Sequence, residues 1–138
     1  MILTQELNIL SEGGFYALNI TDRVQAVVEV SGVREGLVHV FYKHTTGALL
    51  IIEHEAGILV DLEDVFERIL PSGGEYRHHL RGYDFNGAAH LRTALLGVSV
   101  TIPVVGGRLL LGEYQEILMI DMDPEQKTRT VVVQIFGE

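Results

Sequence analysis

Four of the six histidines fall in short polar clusters, Lys43-His44-Thr45-Thr46, Tyr76-Arg77-His78-His79 and Asn86-Gly87-Ala88-Ala89-His90-Leu91-Arg92. Imidazole is the commonest protein metal ligand and changes charge between pH 5 and 8. If His44, His78 (or His79) and His90 converge, they form a three-histidine metal or anion site. The hydroxyls of Thr45 and Thr46 could donate to a phosphate or carboxylate, or bond local backbone in a turn. Neighbouring side chains in an extended segment point in opposite directions, so only one of His78 and His79 faces a given site. His90 follows Asn86 by four residues in the first turn of an expected helix, where backbone N–H groups favour an anion. A plain helix-surface histidine is the alternative.

Glu53-His54-Glu55 places two carboxylates on either side of a fifth imidazole. In an extended backbone Glu53 and Glu55 share a face and could act as general base or metal ligand. Acids at the start of a helix have an equally good electrostatic reason to be there. His39, inside an apolar run, reads as structural. Gly107 to Gly112 has P-loop spacing, but Glu113-Tyr114 follow where Lys-Ser/Thr is required. His54-Glu55 lacks the second histidine of a zincin helix, and there is no G-x-S-x-G elbow.

These residues depend on elements that the apolar pattern outlines. Ile2 to Leu10 and Phe15 to Asn19 read as strands, and a helix capped by Asn19 or Thr21 runs to about Val30, ended by Gly32. Leu37 to Lys43 and Ala48 to Glu53 are strands flanking the His44 junction. Ala56 to Leu70 is a helix, with Ile58, Leu59, Leu62, Val65, Phe66 and Ile69 on one stripe. A loop from Ser72 to Asp84 leads to a helix from the N-cap Asn86 to Leu96, with Gly97 at its C-cap. Val98 to Val104, Arg108 to Gly112, Gln115 to Asp121 and Thr130 to Phe136 close the chain as strands, the first two joined by a Gly106-Gly107 turn. Strands in runs with inserted helices indicate an α+β fold.

At 138 residues the chain is expected to be one domain over 1–138. An apolar fraction of 47% exceeds what one small core needs, which points to a homo-oligomer. A net charge of −9 and no basic run argue against nucleic acid or an anionic membrane as partner. With no cysteine there is no thiolate site, so a transition metal would rest on imidazole and carboxylate. An acidic N-terminus and an interrupted apolar stretch from Ala94 to Val105 lead to the expectation of a soluble, cytoplasmic protein.

The segments together resemble the YjbQ family, the secondary thiamine-phosphate synthase-like proteins. The resemblance rests on His44-Thr45-Thr46-Gly47-Ala48-Leu49-Leu50, Glu53-His54-Glu55-Ala56-Gly57, Asp61-Leu62-Glu63-Asp64, Tyr76-Arg77-His78, Asn86 through His90, Thr101-Ile102-Pro103, Gly107 through Gly112, Gln115 and Val131 through Gln134. It implies a single-domain, β-rich pseudo-barrel or sandwich with inserted helices, assembled as a homotrimer. It selects His78 over His79, with His44 and His90, as a metal set, zinc being the ion that suits nitrogen ligands without thiols. It further implies Thr45, Thr46, Asn86, Arg108 and Gln115 as contacts to a small phosphorylated substrate, with Glu53 or Glu55 moving a proton. The implied activity is transfer of a pyrimidine diphosphate-derived group to a thiazole phosphate. A metal-dependent hydrolase of a small anionic substrate and a non-catalytic metabolite- or metal-binding trimer are the alternatives. Ile52, His54, Ala88, Glu113 and Tyr114 depart from the family pattern.

Overall fold

Alternation along the long strands decides where the core lies, because successive side chains leave a strand on opposite faces. In the computed structural model, which describes residues 1–138, eight strands and three α-helices follow the order β1 (Ile2–Ser11), β2 (Tyr16–Asn19), α1 (Thr21–Ser31), β3 (Glu35–Tyr42), β4 (Gly47–Ile52), α2 (Ala56–Ile69), α3 (Gly87–Leu96), β5 (Ser99–Val105), β6 (Arg108–Leu109), β7 (Glu116–Asp121) and β8 (Lys127–Gly137). A 3-10 turn, Arg77–Arg81, interrupts the long loop between α2 and α3. The α+β expectation holds.

The strands form two antiparallel sheets, ordered β1-β8-β3-β5-β6 and β2-β7-β4. Val38 and Val40 of β3, Ile102 and Val104 of β5, and Val131, Val133 and Ile135 of β8 face inward from the larger sheet. They share one cluster with Ile117 and Met119 of β7, Leu49 of β4, and Val24, Val27 and Val28 of α1. On its other face β7 presents Leu118 and Ile120, which pack with Ala48, Ala89 of α3 and the half-buried Leu59 and Leu62 of α2. β7 is therefore covered on both sides, which explains its unbroken apolar run. No helix is long and apolar enough to cross a membrane.

Several elements differ from the expected bounds. β6 shrinks to Arg108–Leu109 because the chain leaves the sheet edge at Gly112, whose N–H donates to Gln115 Oε1 at 2.8 Å. β8 begins three residues early, at Lys127, because β1 extends alongside it to the pair Ser11–Lys127. On α2 only Phe66 is fully buried, while Val65 and Ile69 stay exposed, so the apolar stripe is wider than the surface it covers. At α1, Asn19 Oδ1 accepts the Thr21 N–H, and the Thr21 hydroxyl instead accepts from Ile117 N–H, tying the helix to β7.

Candidate functional site

The β3–β4 connection is held by β7 and β8. Lys43 N–H donates to Thr130 C=O, continuing the β3–β8 ladder by one bond. His44 then turns back, and its Nε2 accepts the Thr130 N–H at 2.8 Å. The buried Thr46 hydroxyl accepts from Arg129 Nη2 at 3.2 Å. Arg129 in turn grips Asp121 through two bonds, Nε to Oδ2 at 2.9 Å and Nη2 to Oδ1 at 3.0 Å. Asp123 Oδ2 stands 3.6 Å from both Arg129 and Lys127. Gly47 follows because a Cβ there would lie 2.5 Å from the Tyr42 hydroxyl. That hydroxyl is buried without a hydrogen-bond partner.

The 3-10 turn and α3 supply the opposite wall. His78 and His90 meet edge to face, with ring centroids 4.7 Å apart. His78 Nε2 lies 3.1 Å from Asn86 Oδ1 and 3.3 Å from Arg81 Nη2. Asn86 occupies the expected N-cap position, but its side chain does not cap the helix. His79 does that work, its Nε2 accepting the Gly87 N–H at 2.9 Å. The two adjacent rings leave the turn in different directions, His78 toward His90 and His79 toward the helix end.

Both walls enclose an open cavity of about 490 Å³ with no apolar lining residue. His44, His78 and His90 all border it, as do Thr45, Thr46 and Asn86. Four of the chain's ten basic residues, Lys43, Arg81, Lys127 and Arg129, line it against two acids, Asp84 and Asp123. In a chain of net charge −9 this is a local concentration of positive charge. Burial disfavours the charged forms of His44 and His90 and lowers both pKa values, with Arg129 adding to the effect at His44 and His78 at His90. Burial also works against the Arg129 cation, but its bonds to Asp121 outweigh that and hold its pKa above the usual value. A second, more apolar cavity of about 570 Å³ shares Lys43, His44, Thr45 and His90 and continues past Phe41, Ala94 and Val98.

The remaining expected site residues lie elsewhere in the chain. Glu55 Oε2 accepts the Ile58 N–H at 2.6 Å and caps α2, the helix-start role. Glu53 is exposed and does not line the cavity. Arg108 is exposed on edge strand β6, and Gln115 is committed to the Gly112 turn. The three imidazoles share a cavity but do not compose a zinc set within one chain. No three His, Asp or Glu side chains are grouped to hold an ion, and His44 Nε2 already has its partner.

Asp123, Lys127 and Arg129 carry much of the site's charge, with Asp121 behind Arg129, and none of the four belongs to a motif in the sequence. A signal for one of them exists. Arg129 is in phase with Val131, Val133 and Ile135, so it faces the core, and a core-facing arginine requires a buried acid.

Comparisons with known proteins agree with this fold. The family model described as UPF0047 protein YjbQ-like matches residues 5–138. A UPF0047 protein of Methanothermobacter thermautotrophicus is 36% identical over 137 residues, covering 99% of this chain and 94% of the relative. One from Archaeoglobus fulgidus is 40% identical over 127 residues, covering 92% and 97%. The crystal structure of a YbjQ-like protein from Sulfolobus solfataricus P2 superposes with a TM-score of 0.94 at 30% identity, covering 100% and 99% of the two chains. A hypothetical protein from Aeropyrum pernix K1 gives 0.91 at 35% identity, covering 99% of each.

Proposed function

Since the chain belongs to the YjbQ-like UPF0047 family, we propose that it is an enzyme acting on a small phosphorylated substrate, with His78 and His90 moving the proton. The observation that carries this reading is a wholly polar cavity gathering four of ten basic residues around three imidazoles. Lys43, Lys127 and Arg129 would hold the anion. Arg129 suits that role because Asp121 fixes its orientation while Nη1 keeps no protein partner.

His78 is suited to acid–base work by its two neighbours. With a proton on Nε2 it donates to Asn86 Oδ1, and without one it accepts from Arg81. The ring can gain or lose a proton there without losing a partner. His90, whose pKa is lowered by burial and by its neighbour His78, is the matching acceptor. In transfer of the thiamine-phosphate type, the reaction the resemblance suggests testing first, the cations would stabilise the departing pyrophosphate. The assembly in this reading is a homotrimer. Its support is an uncovered face of the larger sheet carrying Leu37, Phe41, Val105 and Phe136.

Calorimetric titration with inorganic phosphate and pyrophosphate, followed by turnover of the pyrimidine diphosphate with the thiazole phosphate, tests this. Anion binding that weakens with salt and is lost in Lys127→Ala is expected. Absence of binding to the wild-type protein sinks the reading.

A further inference from the structure

The bond between His44 and β8 fixes more than a loop. A neutral imidazole has one nitrogen that donates and one that accepts. The Thr130 N–H can only donate, and it meets His44 Nε2 at 2.8 Å. Nε2 is therefore the bare nitrogen, and the proton of the neutral ring sits on Nδ1. Thr130 cannot turn to relax this, because its own C=O accepts from Lys43 N–H and it pairs with Asn8 in the sheet. The tautomer is set by the backbone of the fold. Nδ1 has no partner within the chain, and the ring borders both the polar cavity and its apolar neighbour.

We infer that His44 is a fixed hydrogen-bond donor, offering Nδ1–H to a phosphate-type oxyanion, and is not a metal ligand through Nε2. The donor role rests on the anion-binding reading of the cavity; the tautomer does not. Lys43, Lys127 and Arg129 line the same cavity and supply charge there, and Thr45 and Thr46 follow His44 in the chain. A donor held in place by the sheet needs no rearrangement when an oxyanion arrives, which is the property that makes such donors effective. A metal at Nε2 would have to displace the Thr130 N–H and leave that amide without its acceptor. This separates His44 chemically from His78 and His90, whose ring-to-ring contact lies on the opposite wall.

Nitrogen-15 NMR of the full chain labelled at histidine tests the assignment at pH 7.5. His44 is expected to show a bare Nε2 and a protonated Nδ1, an Nδ1–H resonance that moves on adding inorganic phosphate, and an Nε2 that does not move on adding zinc chloride. A protonated Nε2, or a zinc-dependent shift there, overturns the inference. Two variants separate the ring's two edges. His44→Gln, which reaches the Nε2 position, should keep the melting temperature but bind phosphate about tenfold more weakly. His44→Asn, which mimics Nδ1, should lose melting temperature and keep phosphate affinity within about twofold. The opposite ranking overturns the donor role. If phosphate fails to bind the wild-type protein, the anion-site reading falls. If it binds while Nδ1–H stays fixed, only the donor assignment falls.

Discussion

Arg129 joins the fold to the site through a single guanidinium. Asp121 is fully buried and Arg129 is 4% exposed, so the carboxylate depends on the guanidinium for its compensation. Removing one partner of such a pair costs about 3–5 kcal/mol, because the other is left buried and unpaired. Arg129→Ala should lose that amount in urea unfolding and lose phosphate binding as well. His78→Ala should leave stability nearly unchanged and lower turnover by roughly 10²- to 10⁴-fold, the usual worth of a positioned acid or base. A loss in kcat/KM that comes from KM alone, with kcat unchanged, would reassign His78 to binding. The imidazoles also make stability depend on pH. His44 and His90 are harder to protonate in the folded chain than at the ordinary value of 6.5. As pH falls below about 6.5 the unfolded chain takes up protons first, so their stability contribution is whole above that pH and is lost as pH drops toward the lower folded values. Unfolding free energies between pH 8 and 5 should fall with acidity, and less so in His90→Gln.

Among the elements, α3 is the one whose placement assembles the site. It carries His90, begins at Asn86, and is anchored from α2 by the buried Arg92, which donates to Glu67 Oε1 at 2.7 Å and to Leu70 C=O. Arg92 was grouped with the histidines by its position in the chain, yet it points the other way and ties the two helices together. The start of α3 relies on His79. Loss of a cap costs about 0.5–2 kcal/mol, so His79→Ala should destabilise by that amount and speed amide exchange at Gly87. Phosphate affinity should persist in that variant. A loss of turnover as large as that of His78→Ala would undo the division of labour between the two rings. Helix α2 starts on Glu55 in the same manner, and Glu55→Ala should cost a similar amount without abolishing turnover.

At the scale of the molecule, the open face of the larger sheet and the exposed Val60, Val65 and Ile69 of α2 leave apolar surface that this chain does not cover. Light scattering should give three chain masses, and Phe41→Glu on the open face should lower that number if the trimer uses it; an unchanged assembly would move the interface to α2. The α+β class, the strands, the three helices and the polar clusters were all legible in the sequence, because period-2 and period-3.6 burial and the φ demands of Gly32 and Gly97 are local properties. The family resemblance offers His44, His78 and His90 together, and the fold sets all three along one cavity. Which nitrogen of His44 is free, which of two adjacent histidines caps α3, and which acid neutralises Arg129 were decided only by folding. Each depends on a partner from 8 to 86 residues away, Gly87 for His79, Asp121 for Arg129 and Thr130 for His44. Sequence pattern reports which face of an element is buried, but the choice of hydrogen-bond partner across that face exists only once the elements have packed.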